Sequence, residues 1–221
     1  MRFYDYIHLM QFAQNPRLTN DAVILEPLSH QWTQDLQEAV ASQELWRHWF
    51  VALPTPEGMA EEIDRRLAEH ADGLCAPWAI ISAATGRAVG MTSFHTLDHA
   101  NKRLEIGRTW MAAHVQGTGI NPSVKFLQLQ RAFEDLGVNA VEFRTNWHNH
   151  RSRAAIERLG AKQDGVLRKH RIHPDGTVRD TVIYSITNDE WPAVKLTLME
   201  RLYRHMQVPI IPNEASLFDA S

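Results

Sequence analysis

The stretch LEIGRTWMAAHVQGTGINPSVKFLQLQRAFEDL, residues 104–136, reads as a strand, a glycine-bearing turn and an amphipathic helix. Alternation predicts a strand from Leu104 to Met111, with Leu104, Ile106 and Trp110 on one face and Glu105, Gly107 and Thr109 on the other. In the turn from His114 to Gly119, Gly117 and Gly119 let main-chain N–H groups converge on one concave site with no side chain in the way. Asn121 suits a helix N-cap and Pro122 the first helical position. Phe126, Leu129, Phe133 and Leu136 recur at helical spacing until Gly137 ends the run. A helix starting just behind exposed N–H donors favours an anion, most often a phosphate.

Outside this stretch, the whole chain sets bounds. Its 221 residues suit one domain with a full core. A net charge of −3 without a polybasic run sets nucleic acid and anionic membrane aside as main partners. The single cysteine, Cys75, excludes an internal disulfide framework and fits a reducing compartment, where it reads as a buried thiol. The opening MRFYDYIHLMQF, broken by Arg2, Asp5 and His8, makes a poor signal peptide. No apolar run reaches the roughly 20 residues of a membrane-spanning helix. The expected location is cytoplasmic.

Upstream, residues 1–21 read as an N-terminal extension and Ala22 to Leu28 as a first strand. Two helices follow, from Gln31 to Ala41 behind Ser29 and from Glu57 to His70. Between them lies the aromatic and basic cluster Leu45-Trp46-Arg47-His48-Trp49-Phe50. Trp78 to Ser82 and Ala88 to His95 form a hairpin about Thr85-Gly86, and a further antiparallel step leads to the strand of Glu105. Downstream come a strand from Ala140 to Thr145, a helix from Arg151 to Leu159 and a strand pair, Lys162 to Ile172 with Val178 to Thr187, joined by Pro174-Asp175-Gly176. A last helix runs from Asp189 to about Met206, and residues 207–221 read as a tail. This order predicts a mixed α/β (α+β) fold with a largely antiparallel sheet flanked by helices, in one domain over residues 22–206.

The glycine turn is not a P-loop, since no Lys-Ser or Lys-Thr pair follows it, and Pro122 stands where GxGxxG needs its third glycine. It resembles the Gln/Arg-x-x-Gly-x-Gly/Ala loop of the GCN5-related N-acetyltransferases, with His114 in place of Gln or Arg and with Gly117 and Gly119 matching. A second segment, Asn149-His150-Arg151-Ser152 to Gly160-Ala161, looks like the Asn-x-x-Ser…Gly-Ala/Phe motif of members resembling the ribosomal-protein alanine and serine acetyltransferases. The resemblance covers about residues 22–203.

The resemblance implies a central strand pair that splays near Met111 and Thr145. Acetyl-coenzyme A would lie in the gap, with its diphosphate on Gln116, Gly117, Thr118 and Gly119 at the start of the Asn121 helix. Asn149 and Ser152 would contact the cofactor arm and sulfur, and the main chain of Trp110, Met111 and Ala112 would supply the oxyanion donor. It implies direct acetyl transfer to a primary amine, either a protein N-terminus or a small amine, with Glu105 as the base acting through water. Trp46, Arg47 and Trp49 would wall the acceptor side. Helix capping by Asn149 and Ser152 is a compatible reading of that segment. Tyr184 reads more simply as a core tyrosine than as an acid, and Lys125 and Arg153 as solvated charges rather than phosphate ligands.

Twelve histidines include the close pairs His95/His99, His148/His150 and His170/His173, but no HExxH occurs and no cysteine joins them, so no metal is expected. A different class of function is a catalytically silent acetyl-coenzyme A sensor, and a third is another nucleotide-dependent transferase using the same phosphate turn. The expected assembly is a monomer or homodimer.

Overall fold

The computed structural model describes residues 11–42, 53–173 and 175–207. The cluster containing Trp46, Arg47 and Trp49 lies outside the described residues.

Among the described residues, eight strands form one sheet: β1 (Leu18–Thr19), β2 (Val23–Pro27), β3 (Cys75–Ser82), β4 (Ala88–Asp98), β5 (Arg103–Met111), β6 (Ala140–Asn146), β7 (Lys162–Ile172) and β8 (Val178–Thr187). They lie in the order β1-β2-β3-β4-β5-β6-β8-β7. Every neighbouring pair is antiparallel except β5 with β6. That parallel pair needs a crossover, and the central helix α3 (Ile120–Gln130) supplies it. The remaining helices are α1 (Thr33–Ala41), α2 (Met59–Ala71), α4 (His150–Glu157) and α5 (Trp191–Gln207).

Hydrogen bonds assign the helices to the two faces of the sheet. Directly paired residues of an antiparallel ladder share a face. Arg66 of α2 reaches Ser93 Oγ, so α2 covers the face of Ser93, His95, Glu105 and Gly107. Gln128 of α3 bonds Thr92, and Arg153 and Glu157 of α4 bond Tyr184, so α3 and α4 cover the opposite face. Val124, Leu127 and Leu129 turn α3 toward the sheet. Phe126 and Phe133 pack instead against Trp191 of α5, with ring centroids 6.3 and 5.4 Å apart. Burial on two sides explains why α3 carries more apolar residues than one helical stripe requires.

Several expectations change in detail. Gly119, not Asn121, occupies the N-cap of α3, and no side chain caps it. Its last turn, Arg131–Asp135, widens to a π turn before Gly137 leaves the helix at φ +62°. Within the stretch read as an N-terminal extension, Phe12 is buried, Asn15 donates to Pro77 O at 2.8 Å, and Trp78 Nε1 donates to Pro16 O at 2.9 Å.

The strand at the centre of the fold departs most. Arg108 adopts φ +51°, and β4 has two steps between Met91 and Ser93 where β5 has three between Gly107 and Trp110. A one-residue bulge of this kind shifts the alternation. Trp110 therefore pairs with Met91 on the face of Glu105, while Thr109 turns to the other face and bonds Thr92 at 2.7 Å. The expected faces of Trp110 and Thr109 are exchanged.

Candidate active site

The parallel pairing of β5 with β6 consists of Arg103↔Ala140, Leu104↔Val141 and Glu105↔Glu142, and then stops. Beyond Glu105 the two strands diverge, because each keeps its antiparallel partner on the other side, β4 and β8. The divergence opens a cleft of about 1640 Å³ lined by β5 from Glu105 to Met111 and by β6 from Phe143 to Asn146. Glu105 thus stands at the apex of the split.

Its carboxylate is 6 % exposed. It accepts from Thr96 Oγ1 at 3.2 Å and lies 3.5 Å from Arg144 Nε. Burial pushes the Glu105 carboxyl up to about 7, against the pull of the Arg144 guanidinium and the Thr96 bond. His95 Nε2 approaches Glu105 Oε1 at 3.4 Å without hydrogen-bond geometry. Burial, with Arg108 and Arg66 nearby, depresses His95 to about 3, so the ring stays neutral. Gly107 makes the approach possible: a Cβ there would fall 2.3 Å from His95 Nε2 and 3.3 Å from Glu105 Oε1.

The other end of the cleft holds the glycine turn. Gly117 takes φ +79°, a conformation that side chains disfavour. Gln116 N–H already donates to Ala113 O, and its side chain donates to Met111 O. The N–H groups of Gly117, Thr118 and Gly119 have no acceptor among the described residues. They precede the first turn of α3, so three donors and the positive end of a helix meet at one place. Of the main-chain groups expected to face the thioester, the Ala112 N–H is committed to Val89 O at 2.7 Å. That bond makes Gly90↔Met111 a pair without mutual hydrogen bonds, so the Met111 main chain points toward the split.

Asn149 caps α4, accepting from Ser152 N–H at 3.0 Å. Ser152 sits in the first turn of that helix, not at its cap, and both residues line the cleft. Tyr184 is fully buried between Glu157 and Arg153, as a core tyrosine should be. Arg153 is not a plain solvated charge, since it also lies 4.3 Å over the Trp147 ring. Nor is Lys125. It is buried, and Nζ donates to Thr109 Oγ1 at 2.9 Å and Gln128 Oε1 at 3.0 Å. Desolvation without a carboxylate brings it down to about 7. Cys75 is buried and held near 11 by desolvation, an inert thiol.

His95, Arg144 and the hairpin residues Arg171 and Arg179 join the site although the sequence reading gave them no part in it. The turn pairs Asp98 with Arg103, which would carry Thr96 opposite Glu105; a register shift before Asp98, with Thr96 at φ +51°, brings His95 there instead. Among the described residues, no group of three or more His, Cys, Asp or Glu side chains is placed to hold a metal ion. None of the described helices is long and apolar enough to cross a membrane.

Comparison with known proteins agrees with this geometry. The acetyltransferase (GNAT) domain family matches residues 22–162. The chain is 36 % identical over 110 residues to YdaF of Bacillus subtilis (strain 168), provisionally named a ribosomal N-acetyltransferase; the alignment spans 50 % of this chain and 59 % of YdaF. A GCN5-related N-acetyltransferase from Brucella melitensis superposes with a TM-score of 0.77 at 26 % identity, over 86 % of each chain. RimJ of Mycobacterium smegmatis, solved in complex with CoA-disulfide, superposes with a TM-score of 0.71 at 21 % identity, over 84 % of this chain and 93 % of RimJ, a likeness of fold alone. With its family match spanning more than half the sequence, over the split sheet and the glycine turn alike, the chain belongs to the GCN5-related N-acetyltransferase (GNAT) family of acyltransferases.

Proposed function

We propose that the protein is a cytoplasmic enzyme that transfers acetyl from acetyl-coenzyme A directly to a primary amine, without a metal or an acyl-enzyme. What carries the reading is the strand pair that parts at Glu105, leaving a buried carboxylate with a pKa near 7 at the apex of an open split. The RimJ complex with CoA-disulfide supports a coenzyme A ligand for this fold.

Gly117, Thr118 and Gly119 would take the diphosphate through their N–H groups, with Asn121 beside them. The pantetheine arm would follow the open edge of β5 past Trp110 and Met111, and Asn149 and Ser152 would approach it from α4. An ammonium acceptor must lose a proton before it attacks, and Glu105, through water, is the acceptor of that proton. The amine nitrogen then bonds to the carbonyl carbon while a main-chain N–H at this end of β5 steadies the oxyanion. The C–S bond breaks as the remaining proton of the attacking nitrogen passes to the departing sulfur by way of the Ser152 hydroxyl, leaving a neutral amide and the free thiol. A thiol pKa of about 8.5 makes that help useful without being essential. Ala112, whose N–H is committed to the sheet, contributes only to the wall of the arm's path. YdaF, named for ribosomal proteins, makes a peptide N-terminus the first acceptor to try.

The test is a panel of amines and short peptides with acetyl-coenzyme A, thiol release being followed and products read by mass spectrometry. One acetylated amine per thiol released is expected. Binding of coenzyme A with no turnover on any amine would instead establish the silent-sensor reading.

A further inference from the structure

We infer that the acceptor is an amine carrying an anionic group, a carboxylate or a phosphate, held by Arg171 and Arg179 on the hairpin beside Glu105. The inference rests on the acetyl-transfer reading above and adds the class of acceptor.

The sheet register supplies the placement. Glu105 pairs with Glu142, and the residues of β6 on that face are Glu142, Arg144 and Asn146. Asn146 pairs with Thr181, and two residues further along β8 comes Arg179, itself paired with Arg171 of β7. Both arginines therefore stand on the face of Glu105 and line the same cleft. The glycine turn leads into α3 on the opposite face, so a diphosphate bound there leaves these two guanidinium groups unengaged.

On the face of Glu105 the other arginines of the cleft are already paired, whereas Arg151 and Arg158, without an ion pair among the described residues, lie on α4 and at its C-cap, on the opposite face. Arg65 and Arg66 share Glu62, Arg65 and Arg108 share Glu69, and Arg144 bonds Glu142. Among the described residues, Arg171 and Arg179 make no ion pair at contact distance, Glu105 being the carboxylate whose charge they feel across the cleft, and Arg179 Nε is buried without any hydrogen bond. Adjacent guanidinium groups without a carboxylate repel each other. An anion accepting from both offsets that cost, and planar forked donors suit a carboxylate or phosphate. His170 and His173, lining the cleft from the same hairpin, leave this corner without an acid apart from Asp175 at the turn, which its own Thr177 holds. An incoming amine that binds Glu105 with its cationic end would find the arginine pair with its anionic end.

The test compares kcat/KM for four peptide amides, Ala-Asp-Ala-NH2, Ala-phosphoserine-Ala-NH2, Ala-Asn-Ala-NH2 and Ala-Lys-Ala-NH2, together with free alanine and its amide. At least a tenfold preference for one anionic form over its neutral match is expected, and which arm responds separates a side-chain carboxylate, a phosphate and an α-carboxylate. The double variant Arg171→Gln/Arg179→Gln should bring that ratio close to one with the Kd of coenzyme A unchanged, and Arg171→Lys/Arg179→Lys should restore part of it. Turnover without charge preference, or a preference surviving in the Gln variant, overturns this inference alone. Absence of all turnover overturns the acetyl-transfer reading. Calorimetric titration of the same probes into the coenzyme A complex then decides the anion site, with equal affinities counting against it.

Discussion

Glu105 and His95 face each other from directly paired positions of β5 and β4, with His95 Nε2 3.4 Å from Glu105 Oε1. Burial drives the two in opposite directions on the pH scale while favouring the neutral form of both. A neutral histidine beside a carboxyl that titrates near neutrality leaves the carboxyl free to gain and lose a proton at working pH.

A base works only when deprotonated, so kcat/KM should rise with pH through about 7, the value to which burial lifts Glu105. Glu105→Gln should lower kcat by roughly 10²–10⁴-fold and erase that limb, with the coenzyme A Kd unchanged. A pH–rate profile of both proteins checks this; an intact limb in the variant would assign the proton to another group.

The same groups govern stability in opposite senses. His95 is depressed in the folded state, so its contribution is present above pH 6.5 and lost as pH falls toward 3. Glu105 is raised, so its contribution is complete below pH 4.5 and lost as pH rises through about 7. His95→Gln should flatten the fall in Tm between pH 6.5 and 4. Thermal melts across that range should show the parent dropping more steeply than the variant.

Gly107→Ala would place a methyl 2.3 Å from His95 Nε2, an atom that can move. The expected cost is about 1–3 kcal/mol in stability, with activity lost beyond that through displacement of His95 against Glu105. Gly90→Ala meets backbone instead, 2.1 Å from Trp110 O, and should impair folding itself. Comparing soluble yield, Tm and kcat of the two variants separates a local clash from a global one.

Lys125 buries an amine without a carboxylate, and its folded pKa of about 7 lies below the ordinary 10.5. Its stabilising contribution is therefore present above pH 10.5 and lost as pH falls through 7. Lys125→Met, similar in length and apolar, should raise stability by about 1 kcal/mol at pH 6, roughly 2–4 °C in Tm. The gain should shrink at pH 9, which paired melts at the two pH values would show.

The element order was legible because turn residues, mostly glycine or asparagine, bound the strands, whereas the split of the sheet was implied only by the resemblance to the acetyltransferases. The β7 and β8 boundaries, Lys162–Ile172 and Val178–Thr187, emerge unchanged for that reason. Faces were harder to read. A single bulge at Arg108 reversed Trp110 and Thr109, and nothing in the local composition marks an arginine for positive φ. Lys125 looked solvated because a helix sequence does not show that both its sides are covered, one by the sheet and one by α5. His95 was overlooked because hairpin register, rather than motif, brings it to Glu105. Arg171 and Arg179 meet the site only through the sheet order, which places β8 beside β6.

The most direct measurement is a crystal structure of the protein with acetyl-coenzyme A. The account predicts diphosphate oxygens within hydrogen-bond distance of the Gly117, Thr118 and Gly119 N–H groups, and an acetyl carbon in the split beyond Glu105. A diphosphate bound elsewhere, or β5 and β6 joined past Glu105 around no ligand, would contradict it.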